Sequence, residues 1–430
     1  MSRRPKTPWM WVPTLYFAEG IPYFVVNNIS VVMFKEMGVA NGPLALFTSL
    51  LYLPWVIKPL WSPFVDVLKT KRWWVLAMQA LMTLCFAALA LSLPRTVSPD
   101  GGISIFSLTL VIFYITALLS ATHDIAADGY YMLALDNHRQ AQYVGIRSTF
   151  YRVASVFGQG VLVMLAGNLE RHGSDVPGAW RTTLLLCAAI FLTLSVWHAA
   201  WMPRPSSDAP RDRSARSIWR DLGESFVTFF RKPGILFAIV FMLLYRLPEA
   251  FSLKLLTPLM LDGAEKGGLA MTTGQIGLVY GTIGVIALTL GGILGGLAAG
   301  SWGLRRSIVP MSLSLALPCG VYLYMALVQP HDITLIGGLV ALDQFGYGFG
   351  FTAYMLYMMY FAQGEYKTSH YALCTAFMAL SMMLPGLVAG YLQESMGYVG
   401  FFTMVMVCCL ATVAVALAAR KRIDPEYGKK

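Results

Sequence analysis

The chain has 430 residues, of which 57% are hydrophobic and only 13% charged, and its mean hydropathy is +0.61. A soluble domain carries about 25% charged residues, so half that share points to a lipid environment and argues against an ordinary water-soluble fold. A bilayer core of about 30 Å needs roughly 20 apolar residues per helix, so a dozen spans would use most of the chain and leave no room for a separate soluble domain.

The first apolar run, at about 11–34, follows a short basic stretch from Met1 to Pro8. It is long and leads into further spans, so it reads as a membrane helix and not as a cleavable signal. Further runs fall at about 44–66, 73–93, 105–131, 141–167 and 182–201. The longest polar segment, Pro203 to Gly234, comes next. Six more runs follow at about 235–261, 275–299, 308–328, 333–362, 369–392 and 398–419. The expectation is an all-α integral membrane protein of twelve transmembrane helices. It divides into a six-helix bundle at 1–202, a linker at 203–234 and a second six-helix bundle at 235–430. In the linker Ile218, Trp219, Leu222, Phe226, Phe229 and Phe230 recur at helical spacing among Arg216, Arg220, Asp221 and Glu224. That pattern predicts an amphipathic helix at the cytoplasmic membrane surface, with a plain solvated linker as the alternative.

A net charge of +10 would suit nucleic acid if it were clustered, but its distribution follows membrane topology. With the N-terminus placed in the cytoplasm, 22 of the 32 Lys and Arg fall in the two tails and the even-numbered loops. Five lie on the other side (Lys35, Arg95, Arg171, Arg181, Lys266) and five within spans (Lys58, Arg147, Arg152, Arg246, Lys254). This bias predicts that both termini are cytoplasmic and removes the case for a nucleic-acid partner. All six cysteines lie in apolar stretches without metal-site spacing, so they read as small hydrophobes. Neither a metal nor a cofactor is expected.

The two halves echo one another. After the second span the chain reads SPFVDVLKTKRW, with Asp66 five and six residues before Lys71 and Arg72. After the eighth it reads GLAAGSWGLRRS, with Gly300 at the same offset from Arg305 and Arg306. The first and seventh spans also correspond: YFAEGIPYF and LLYRLPEAF each set a proline, Pro22 or Pro248, after a charged residue in mid-span. Duplicated halves are a mark of secondary transporters.

The loop after the second span resembles that of the major facilitator superfamily. Ser62 and Lys69 stand where the family pattern has glycines, and Gly300 replaces the acid in the second copy. The resemblance implies a gating role carried by Asp66, Lys71 and Arg72, with Arg305 and Arg306 in the second half. FAEGIPYF, LPWVIKPLWSPFVD and ATHDIAADGYY further resemble the peptide/acetyl-coenzyme A transporter branch, which includes the AmpG-type muropeptide permeases.

No nucleotide loop or catalytic triad stands out, and the lack of a phosphate-cradling glycine loop argues against an ATP-driven pump. What remains is charge inside the membrane, which costs about 2.5–3.5 kcal/mol per group at mid-span and needs a partner or a wet cavity. The fourth span carries His123, Asp124 and Asp128, with the two acids four residues apart on one helical face. Carboxylates that close hinder each other's ionisation, which suits proton transfer; salt bridges to Arg147 and Arg152 of the fifth span are the alternative. Glu19 lies beside Gly20 and Pro22, and Asn27 and Asn28 continue the polar character of the first span. The seventh span offers Tyr245, Arg246, Glu249 and Lys254. Arg246 would clamp a substrate carboxylate in a two-pronged contact, or else pair internally with Glu249. Six tryptophans near span ends (Trp9, Trp11, Trp55, Trp61, Trp73, Trp74) predict an interfacial belt. On the tenth span Tyr347, Tyr354, Tyr357 and Tyr360 stand near Asp343 and Gln344, as a sugar-stacking surface or as core.

The expectation is a proton-coupled symporter that alternates access, acts as a monomer and is not an enzyme. Glu19, Asp124 and Asp128 are its proton candidates. Arg152, Arg246, Asn27, Asn28, Tyr245, Asp343, Gln344 and Tyr347 are its substrate candidates. The resemblance implies import of an anhydro-muropeptide or related amino-sugar compound in cell-wall recycling across a bacterial inner membrane. Other anionic cargo, such as a siderophore or coenzyme A ester, and a membrane-embedded transferase using Asp124 and Asp128 are the rivals.

Overall fold

Backbone amides inside a bilayer have no water to bond, so a chain this apolar must satisfy them within helices. The computed structural model describes residues 7–93, 102–135, 137–206, 208, 215–364, 366–425 and 427. At 66, 67, 102–107, 137–142, 144, 145, 148, 215–218, 221 and 368 the description covers the backbone only. The helices in chain order are α1 (Pro8–Glu36), α2 (Asn41–Leu60), α3 (Lys71–Ser92), α4 (Gly102–Ala134), α5 (137–171) and α6 (Val176–Trp201). They continue with α7 (Ala215–Phe230), α8 (Ile235–Leu261), α9 (Thr273–Trp302), α10 (Leu304–Val328) and α11 (Ile333–Phe361). A final stretch, Lys367–Arg420, is divided at Gly397 into α12 (367–396) and α13 (398–420). Gly397 has φ 70°, a left-handed value that a side chain would strain.

Ten of these segments are long and apolar enough to cross a membrane, with α12 and α13 counted as one. Separating that pair and adding the 29-residue α11 gives twelve crossings among the described residues. Asp343, Gln344 and the glycines of α11 dilute its hydropathy without shortening it. Several spans are interrupted. Turns of π-helix occur at Val25–Ile29 in α1, Phe157–Leu162 in α5 and Gly277–Gly284 in α9. The helical ladder of α8 breaks at Tyr245 and Arg246, just ahead of Pro248, which has no amide hydrogen to contribute. The second span, expected to reach residue 66, ends at Leu60, because Pro54 and Pro59 divide it and Pro63 opens a separate short helix, Ser62–Val67.

The chain forms two compact units, one comprising the residues up to Ser30 with Leu60–Trp219, the other Val31–Pro59 with Arg220–Lys430. In the first, α1 packs on α4 and α5, and α3 on α4 and α6. Its core includes Trp11, Tyr16, Val75, Ala126 and Tyr130. Gly20 permits the α1–α5 approach, since a Cβ there would lie 2.7 Å from Ala154 Cβ. In the second unit α11 packs against α9 and α10, and α2 lies on α12. Large apolar side chains such as Leu91, Leu236 and Leu410 are exposed, while Glu19, Gln79, His123, Arg246 and Asp343 are buried. This polarity is the reverse of a water-soluble protein's and suits a hydrocarbon solvent.

The expected linker helix forms as α7. Phe229 is fully buried against Phe361, Phe377 and His370, while Trp219 and Phe230 are exposed. The tryptophan belt is only partial. Trp9 and Trp73 are exposed, but Trp11 and Trp55 are buried, Trp11 edge-on against Tyr130. A bulky ring at a helix end fills the gap to a neighbouring helix when one is near.

Candidate functional site

In the first unit α4 and α5 present a charged pair. Arg147 binds Asp128 at 2.8 Å, and Tyr16 of α1 donates to the same carboxylate at 3.1 Å. The Arg147 guanidinium also lies 4.5 Å from the centre of the Tyr16 ring. The pair is half-exposed, whereas Glu19 is buried and Asp124 and Arg152 are half-buried. Asn27 and Asn28 occupy the π-helical turn of α1; Asn27 is buried and donates to the Tyr23 carbonyl at 3.1 Å.

His198 of α6, which the sequence did not single out, lies near His123 of α4. Both are fully buried and Gln79 of α3 joins them. Its carbonyl oxygen accepts from His198 Nδ1 (2.9 Å) and its amide donates to His123 Nε2 (3.0 Å). Thr14 of α1 completes the chain at 2.9 Å from His198 Nε2. Four helices are thereby tied by one chain of buried hydrogen bonds.

Among the gating candidates, the Asp66 side chain lies outside the described residues. Lys71 and Arg72 open α3, and their backbone amides bind the Asp208 carboxylate at 2.6 and 3.0 Å. Asp208 thus caps the helix where amides are otherwise unpaired and the dipole favours an anion. Arg72 also reaches the Ala199 and Met202 carbonyls at the end of α6. At the start of α10 Arg305 is half-buried and Arg306 exposed.

In the second unit the break in α8 aims Arg246 inward. Its guanidinium grips Glu249 with two bonds, 2.7 and 2.8 Å, and donates to the Tyr347 hydroxyl at 3.0 Å. Phe351 and Tyr354 line its faces, and both charges are about 6% exposed. Tyr245 donates to the Gly350 carbonyl across to α11. Asp343 is buried and accepts from Tyr322 and from Gln344. The structure therefore gathers Tyr245, Arg246 and Tyr347 at one place, with Asp343 and Gln344 on α11 bonded to each other.

A second cluster went unread in the sequence. Asp262, just beyond α8, binds Lys35 at 2.8 Å and accepts from Tyr398 at 2.5 Å. Asn41 donates to Gln393 and Asp262 and Lys35 donates to Asn41. Burial pushes the Asp262 carboxyl upward, but the Lys35 ammonium and the Tyr398 and Asn41 donors outweigh it and hold it below its usual range.

The Major Facilitator Superfamily model matches residues 14–384, and the chain belongs to that family. It is similar to the anhydromuropeptide permease of Escherichia coli K12, at 23% identity over 95% of this chain and 79% of that protein. It is also similar to "Putative transporter AmpG 4" of Rickettsia felis, at 22% identity over 95% and 96% of the two chains. In fold it matches the nucleoside transporter NupG (TM-score 0.71, 15% identity, 96% and 99% of the chains). A D-xylose-proton symporter matches too (TM-score 0.70, 14% identity, 97% and 98%). The chain is a multi-pass membrane transporter acting on a small molecule and not an enzyme, which sets aside the transferase alternative.

Proposed function

We propose that this transporter is a proton-coupled importer of an anionic sugar-peptide, an anhydro-muropeptide or related amino-sugar compound, across the inner membrane of a bacterium. The observation that carries the reading is ionisable groups buried in membrane-crossing helices, which are expensive there and serve function in transporters. Glu19, with Asp124 and Asp128, would take up the proton and bias the conformational equilibrium. A proton or substrate shifts such an equilibrium only by binding its two states unequally. Tyr245 and Tyr347 beside Arg246, with Gln344 of α11, would stack on and hydrogen-bond a sugar, and Arg152 would attract the negative charge, the Arg246 guanidinium being engaged by Glu249. Similarity to an anhydromuropeptide permease supports the cargo, and the positive-inside bias supports cytoplasmic termini. Lys71, Arg72, Arg305 and Arg306, with Asp66, would gate the cytoplasmic side, and the protein would act as a monomer.

A ligand panel tests the cargo. A disaccharide-peptide should raise the thermal stability of the detergent-purified protein, whereas a siderophore and a coenzyme A ester should not; the opposite ranking rejects the muropeptide assignment.

A further inference from the structure

We propose that Lys254 of α8, with Thr48 and Ser49 of α2, forms a subsite for a carboxylate of the transported molecule. The inference rests on the anionic-cargo reading and deepens it. Lys254 is 5% exposed, yet no carboxylate among the described residues lies within salt-bridge distance. Its partners are the Thr48 hydroxyl, at a long 3.4 Å, and the face of Tyr52, 5.1 Å from the ring centre. Three other cations among the described residues are matched by carboxylates: Arg246 by Glu249, Lys35 by Asp262 and Arg147 by Asp128. An ammonium with three donors, buried with one weak acceptor, is a costly arrangement unless something else binds it.

The surroundings say what that something is. Thr48 donates to the Leu44 carbonyl at 2.7 Å, which turns a lone pair toward Lys254 and leaves the ammonium's remaining hydrogens unused. The Ser49 hydroxyl is buried and has no partner. Gly386 of α12 shows how close these groups are, because a Cβ there would lie 3.0 Å from Lys254 Cε and 3.0 Å from Ser49 Cβ. A cation and a spare hydroxyl donor side by side, with an aromatic face beside them, suit one planar carboxylate. The ammonium and the Ser49 hydroxyl would each donate to one oxygen in short charge-assisted bonds. A phosphate would call for more donors, of the guanidinium or helix-N-terminus kind. The Arg246 fork is occupied by Glu249, whereas the donors of Lys254 are open to the cargo. A carboxylate held there would tie α2 to α8 and so favour the arrangement in which they pack together.

The test measures thermal stabilisation of wild type, K254M, K254R and S49A by a disaccharide-peptide and by the same compound with its carboxyls amidated. Sodium acetate and sodium phosphate, each against sodium chloride, make a cargo-independent arm. Wild type should bind the free acid roughly tenfold or more tightly than the amide, the size expected of a charge-assisted bond. K254M should lose that preference while binding the amide like wild type, S49A should lose part of it, and K254R should keep part. Acetate should stabilise wild type and not K254M. Ligand-free K254M should be at least as stable as wild type, since it removes an uncompensated charge. The proposal is overturned if K254M keeps the acid preference and the acetate response. It is overturned equally if K254M is less stable and weakens both compounds alike, which marks a structural lysine, or if phosphate acts through Lys254 more strongly than acetate. If wild type responds to acetate through Lys254 but to neither disaccharide-peptide, the subsite stands and the cargo reading falls.

Discussion

At the scale of single residues, Arg246 and Glu249 show how a buried charge is made tolerable. Each satisfies the other in a two-pronged contact, and Tyr347 takes a further guanidinium hydrogen. Removing one partner strands the other. R246A should therefore cost about 3–5 kcal/mol of stability, whereas R246L/E249L together should recover most of it, as a double-mutant cycle in denaturant or heat would show. Asp262 gives a pH signature. Its carboxyl is held below the ordinary range, so the unfolded chain takes up a proton there before the folded one does. Its stabilisation is accordingly complete above the ordinary carboxylate range, near pH 4, and is lost as pH falls through and below it. Melting temperature should drop across that window in wild type. D262N should be less stable at neutral pH, by about 2–3 kcal/mol for the stranded Lys35, and its melting temperature should change less on acidification.

At the scale of elements, helix ends and breaks carry the specificity that hydropathy lacks. Asp208 caps α3 through two backbone amides, so D208A should cost about 1 kcal/mol, with loss of helicity confined to the start of α3 in hydrogen exchange. The linker helix α7 is anchored by Phe229, which is fully buried. F229A should destabilise the second unit by about 3–5 kcal/mol, while a change at exposed Trp219 should be nearly neutral in the same unfolding assay. The break in α8 before Pro248 was visible as a mid-span proline beside charge. The premature end of α2 was not, because the run stays mostly apolar to Val65 and the spacing of Pro54, Pro59 and Pro63 ends it.

At the scale of the whole molecule, the number of spans and most of their bounds were legible because lipid imposes a length and a polarity on each helix. The seventh and tenth spans, read at 235–261 and 333–362, form at Ile235–Leu261 and Ile333–Phe361. The Arg246–Glu249 and Asp128–Arg147 pairs were among the alternatives, since both follow from helical spacing or neighbouring spans. The His198–Gln79–His123 link and the Asn41–Gln393 contact were not legible, because they join residues 119 and 352 positions apart and depend on which helix faces meet. Lys254 was noticed only as charge in a span; its lack of a carboxylate partner is a property of packing. The central claim is proton-driven import of an anionic sugar-peptide, and uptake of labelled disaccharide-peptide into proteoliposomes tests it most directly. An inward proton gradient should accelerate uptake and concentrate the label, and E19Q/D124N should abolish that dependence. Uptake that ignores the gradient, or a gradient effect that survives the double substitution, would contradict the account.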